Sequence, residues 1–321
     1  AAAREGAYQY IGTTSYSGGD FQLINDSSTS SIIVTPLTWP YVEVTGDAEN
    51  NITYREVTYK LTKFPEGLAF DYALFSESDI DLGGNASTSW KIFSNGDTTV
   101  TGDATVNGDA ISAGNSTSSG SGEITGSAVN DATPIPIPEI NIDFDEYKAI
   151  ASSSGTLFTD EGDFEDYLNG TTTIGVIFAS TTDSIELNAM TTNLLGTVDT
   201  KGDLSINNGS FVSTDGWEAI IVAGDFRING GEIEGNVYVE GDFEATGGKI
   251  TGIIYVKGGT TFGAGNPVIE GALISVGGVE TSILGGAEII YNPDILAGWT
   301  DFDGLSTTTT AAPRIIDWRE Q

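Results

Sequence analysis

Three Gly-Asp pairs, at residues 96–97, 102–103 and 108–109 of IFSNGDTTVTGDATVNGDA, recur every six residues. A hexapeptide interval of strand, glycine and turn former is the signature of a coil that winds by short strands and sharp corners. Glycine takes positive φ without steric cost, and an Asp or Asn beside it is expected to brace the corner through its own backbone. Strands of two or three residues are too short to be stable alone. They are expected to pair with the coils above and below and to bury their Val, Ile, Phe and Leu in a narrow interior.

A longer repeat follows. Cut at its glycines, 220–289 reads IIVAGDFRINGGEIEGN, VYVEGDFEATGGKITGI, IYVKGGTTFGAGNPVIEGA and LISVGGVETSILGGAEI. Each unit carries three short strands and glycine corners, a coil of about 17 residues. The expected fold is therefore all-β, a β-solenoid over 71–305 built as two differently spaced stretches. A Pro-rich crossing at 133–147 (TPIPIPEINIDFDEY) separates them and is expected to run extended over the surface. Residues 115–123 (NSTSSGSGE) read as a loop. The acidic starts near 143 and 160 predict short helices at 143–152 and 160–169.

The flanks differ. Residues 16–70 hold longer alternating strands, such as ITYREVTYKLTKF, and predict a small N-terminal β cap. Residues 1–15 are Ala-rich, with Ala3, Ala7 and Tyr10 on one helical face before Gly12; they read as the remnant of an N-terminal helix or as a frayed terminus. Residues 306–313 are Thr-rich, and the apolar tail RIIDWRE is expected to dock back on the body.

Charge and composition exclude several functions. Twelve Lys and Arg against 46 Asp and Glu leave a net charge of −34, a poor surface for nucleic acid. Acidity of this kind suits either a soluble, crowded surface assembly or high salt. With no Cys and no His, disulfides, soft-ligand metal sites and a Ser-His-Asp triad are ruled out. No stretch reaches the roughly 20 apolar residues of a membrane span. Membrane contact is expected only through a helix upstream of Ala1.

Some residues invite chemistry. Asp97, Asp103 and Asp109 would form a carboxylate ladder if their coils stacked in register, and calcium is the cation such oxygens would take. The alternative is that each Asp braces its own turn, since the chain lacks a D-x-[DN]-x-[DN]-G loop. No other cofactor is expected. Asp160, Glu161, Asp163, Glu165 and Asp166 read as a solvated helix start. Asn-x-Ser/Thr sequons stand at Asn25, Asn51, Asn85, Asn115, Asn169 and Asn208, candidates for glycosylation in a chain whose composition also produces sequons by chance.

The run FDYALFSESDIDLGGN, WKIFSNGDTTVTGDATVNGDA, PIPIPEINIDFDEYKAIA, the later coils and the closing IIDWRE together resemble the β-solenoid ectodomains of PilX-type proteins of type IV pilus-like systems. Ala1–Ile11 resembles the end of their N-terminal helix. The resemblance implies a non-enzymatic structural or minor subunit of an extracellular, cell-surface filament. It would assemble with itself or with other pilin subunits and bring no catalytic residues. Adhesion to surface glycans through 112–123 or 306–312 is compatible with that role. The rival class is a secreted β-helix polysaccharide lyase or hydrolase, which needs paired carboxylates, or calcium with a basic residue, on a long face. Lys201, Arg227, Lys249 and Lys257 are the only basic residues after 200 and before the tail, each near a glycine corner.

Overall fold

A computed structural model describes residues 68–296 with short breaks at 138–139, 141, 143, 195, 214–217 and 264. It also describes the strands Phe21–Gln22, Thr29–Pro36, Tyr41–Glu49, Tyr54–Thr62 and Arg314–Glu320. The helix expected at 1–15 lies outside these residues. The chain divides into two compact units, 67–306 and a second made of 1–66 with 307–321.

The larger unit is a parallel β-solenoid with three faces. Face A stacks eleven strands: Leu157–Phe158, Ile177–Ala179, Val198–Thr200, Glu218–Val222, Asn236–Val239, 254–256, 273–275, then Leu74–Ser76, Ile92–Ser94, Ala110–Ser112 and Ala128–Val129. Faces B and C stack the second and third strands of each coil in the same order. The two stretches expected from the spacing are one continuous ladder, but not in chain order. The last coil, through 273–275 and Thr281–Ile283, pairs with the first, Leu74–Ser76 and Ile80–Leu82. Both connections of the solenoid to the rest of the chain therefore leave from one seam within the stack.

This order needs a crossing from one end of the stack to the other, and the Pro-rich segment makes it. Described residues of this strap meet coils along the stack: Ile135 lies at Asn95, and the Ile140 carbonyl accepts from the Tyr238 hydroxyl at 3.4 Å. Proline lacks the N–H that a sheet would demand, so the segment can lie across side chains without leaving a buried donor unpaired. Its Ile135, Ile140 and Ile142 are buried. Asn95, at a face A corner, fixes the strap with two bonds: its Nδ2 donates to the Ile135 carbonyl (2.9 Å), and its Oδ1 accepts the Ile135 N–H (2.8 Å). Beneath run outward-facing residues that an uncovered solenoid face would not carry, including Phe75, Phe93, Tyr238, Tyr255 and Ile274, all buried. Phe75 and Phe93 stack at 5.9 Å, Tyr238 and Tyr255 at 5.8 Å.

Helices occur at Phe144–Ser154 and Glu161–Gly170, at the far end of the stack. Asp160 caps the second, its Oδ1 accepting the N–H groups of Gly162 and Asp163 at 3.0 and 3.2 Å. The acidic cluster is thus a helix start, where carboxylates favour the exposed N–H groups. Residues 115–123 are not a loop. They form strands Ser116–Ser118 and Glu123–Ile124 of a regular coil. Its interior is built from hydroxyls in place of alkyl groups: buried Ser112 meets Thr98 and Ser116, each at 2.8 Å. Polarity hid the strand, because apart from the buried Ser116 the hydroxyls of 115–123 are exposed.

The smaller unit holds an antiparallel sheet in the order 21–22, 29–36, 41–49, 54–62, 314–320. The tail expected to dock on the body is the fifth strand of this sheet, paired with Tyr54–Thr62. The whole solenoid is therefore inserted in the sequence between two neighbouring strands of one sheet.

Candidate functional site

The Gly-Asp corners repeat most often, and their geometry differs from the expected one. Asp97, Asp103 and Asp109 occupy three successive corners of a single coil, so they do not stack on one another. The carboxylate ladder expected from these three is not formed. Stacking partners are a full coil apart. At the corner between faces A and B, Asp79 Oδ1 accepts the N–H of Asp97 (2.7 Å), and Asp97 Oδ1 accepts that of Asn115 (2.7 Å). In the later coils Asp203 accepts from Asp225, Asp225 from Asp242 and Asp242 from Gly259, at 2.7–2.9 Å. Asp109 does the same for Ser127 at 2.8 Å. Asp103 sits at the exposed corner between faces B and C, its N–H on the Gly84 carbonyl at 2.7 Å.

The carboxylates of Asp79, Asp97, Asp109, Asp203, Asp225 and Asp242 therefore tie their own coil to the next rather than bracing their own turn. The glycine at such a corner has a matching reason. A Cβ on Gly114 would overlap the Asp97 carboxylate, and one on Gly241 that of Asp225. These glycines make room for the carboxylate of the neighbouring coil. Positive φ is used at the next corner instead, where Gly102 (φ 64°) stacks on Gly84 (φ 66°). Among the described residues no group of three or more His, Cys, Asp or Glu is arranged to hold a metal ion.

The sequons at Asn85, Asn115, Asn169 and Asn208 lie on exposed positions, while Asn25 and Asn51 fall outside the described residues. The basic residues join neighbouring coils: Arg227 to Glu244 and Lys249 to Glu270 at 2.9 Å, Lys257 to Glu240 at 3.2 Å. The Glu270 partner raises the Lys249 pKa, and Lys249 with Asn292 lowers that of Glu270.

Two features escaped the sequence. Asp199 is fully buried at an outward position of face A, in register between Phe178 and Ile221. Its Oδ2 accepts from Thr197 Oγ1 at 2.9 Å, and its Oδ1 has no hydrogen-bond partner. Burial holds this carboxyl well above the usual carboxylate range, against the opposing effect of the Thr197 bond. Only the coil register shows that Asp199 stands among apolar neighbours. The other is Trp90, 47% exposed and stacked on Tyr291 at 6.1 Å. These two meet only because the last coil stacks on the first. No helix among the described residues is long and apolar enough to cross a membrane.

No protein-family model matches the chain, and no curated protein matches it. Among solved structures it matches the competence-associated pilin ComZ from Thermus thermophilus at 10% identity, over 98% of this chain and 90% of that one, with a TM-score of 0.38. At that score the likeness has no weight for function.

Proposed function

We propose that the chain is a structural subunit of a pilin-like surface assembly, with the solenoid as its displayed, non-enzymatic part. One observation carries this reading: the solenoid is inserted in the sequence between adjacent strands of a sheet built from both chain ends. Such an insertion gives the sheet the assembly role and leaves the solenoid a separately folded unit. The ordered sequence runs resembling PilX-type ectodomains support the same role. So does the use of the corner carboxylates, which are spent on backbone N–H groups of neighbouring coils. The location that follows is the cell surface, with other pilin subunits as partners. The exposed Trp90 ring is a flat surface of the kind a sugar ring stacks on, which favours surface glycans as a secondary partner.

Immunogold electron microscopy of source cells with antibody to the solenoid tests the reading. Label on surface filaments is expected; label found only on dispersed protein in the medium overturns it. Release of reducing or unsaturated sugars from acidic polysaccharides by the purified chain would replace it with the enzyme reading.

A further inference from the structure

The two ends of the solenoid are finished differently. At one, helices Phe144–Ser154 and Glu161–Gly170 pack against Leu157–Phe158, Ile177–Ala179 and Ile185–Asn188. At the other, strands Ser116–Ser118, Glu123–Ile124 and Ala128–Val129 pair with the coil beneath and, among the described residues, with no strand beyond. Backbone groups alternate in direction along a paired strand. The N–H groups of Ser119 and Thr125 reach back to the Val100 and Val106 carbonyls, so those of Ser118 and Ile124 face outward.

Sheet edges are usually blunted by Lys, Pro, a bulge or a covering segment. Residues 113–130 contain neither Lys, Arg nor Pro, and Glu123 is their single charged residue. The apolar row Phe75, Phe93, Ile111 ends there on Val129, which is 37% exposed. Ile124 closes the interior and is only partly buried.

We infer that this coil end docks a second copy of the chain, end to end about a two-fold axis. Two identical free edges related by a two-fold run antiparallel and match group for group. Charge selects both the partner and its direction. The chain carries −34 overall, whereas this end coil carries two charges, Glu123 and Asp131. Stacked end to end, most carboxylates of the two rods stand tens of ångströms apart, beyond the ~8 Å over which charge is felt at physiological salt. Side-by-side contact would press the acidic corners together. The contact is one coil wide, less than the ~800 Å² per partner of a standard interface, so the dimer is weak and concentration-dependent.

Sedimentation velocity on the whole chain, from low micromolar to near-millimolar concentration at physiological salt, tests this. The expected result is a monomer that converts to an elongated dimer. Ser118→Pro removes an outward N–H while sparing the inner ladder, and Thr117→Lys adds a charge to the exposed rim; each is expected to hold the chain monomeric at the highest concentration. Ser153→Lys, at the helical end, leaves the dimer unchanged. Circular dichroism checks that each variant is folded, and Thr117→Lys decides if Ser118→Pro is not. A chain that stays monomeric throughout, or a dimer that survives Thr117→Lys, overturns the inference. Neither outcome touches the filament reading, which immunogold labelling decides separately.

Discussion

Between residues 74 and 129 each face recurs every 18 residues, whereas between 157 and 291 the interval varies from 17 to 22. The interiors differ in parallel. The early coils mix aliphatic groups, Leu74, Ile80, Leu82, Ile92 and Val100, with the small Ala86, Ala104 and Ala110 and the hydroxyls of Ser94, Thr98, Ser112 and Ser116. The later ones stack large rings, Phe226 on Phe243 at 5.6 Å and Phe243 against Phe262 at 5.8 Å. Where the interior holds no stacked rings, the corners keep one spacing. Where large side chains interlock, the corners are free to vary in length.

Four outcomes break or sharpen this contrast. The largest effect is expected from Phe243→Ala, which empties the middle of the ring stack and costs about 3–5 kcal/mol in denaturant unfolding; Val106→Ala in the early coils costs roughly half as much. Equal costs would erase the distinction between the two interiors.

Corner locking is tested next by Gly114→Ala, expected to cost about 1–3 kcal/mol because its methyl group meets the Asp97 carboxylate. In the background of Asp97→Ala, which vacates that space, the penalty shrinks. A double-mutant cycle with no coupling would mean the glycine serves some other need.

Asp199→Asn sharpens the later region. A carboxyl whose native pKa is raised lends its full stability below its unfolded value of about 3.9 and loses it as pH rises through the native value. The Asn variant escapes that loss. It is expected to gain about 1–2 kcal/mol over the parent at pH near 8 and nothing at pH near 3, read from melting temperatures across pH. A gain independent of pH would show that Asp199 does not titrate between native and unfolded states.

The smallest effect belongs to Lys249→Met, below about 1 kcal/mol, since the Lys249–Glu270 pair is largely solvated. Glu270 has a lowered pKa, so the contribution is present above about pH 4.3 and fades as pH falls through the native value. High salt removes it at any pH.

Much of the local structure was legible in the chain. The six-residue Gly-Asp interval marked three corners of an 18-residue coil, the acidic starts marked both helices, and the prolines marked the strap. The site logic was less so. Asp97, Asp103 and Asp109 left both a ladder and self-braced turns open, because sequence spacing does not distinguish successive corners from stacked ones. Residues 115–123 looked like a loop because, apart from the buried Ser116, their hydroxyls are exposed on the outermost coil and leave no apolar alternation to read.

That this protein is a β-solenoid follows from its order of residues: glycine, turn formers and short apolar strands at that spacing leave the chain little else that buries its core. Which coil lies on which was decided only in three dimensions. Every coil offers its neighbours the same row of N–H and C=O groups, and that row carries no sequence identity. The crossing between Ala128–Val129 and Phe144–Ser154 carries the chain back to the far end, so that residues 273–275 arrive beneath 74–76. The same choice brings Tyr291 to Trp90 and leaves the 116–129 coil with no strand beyond it among the described residues.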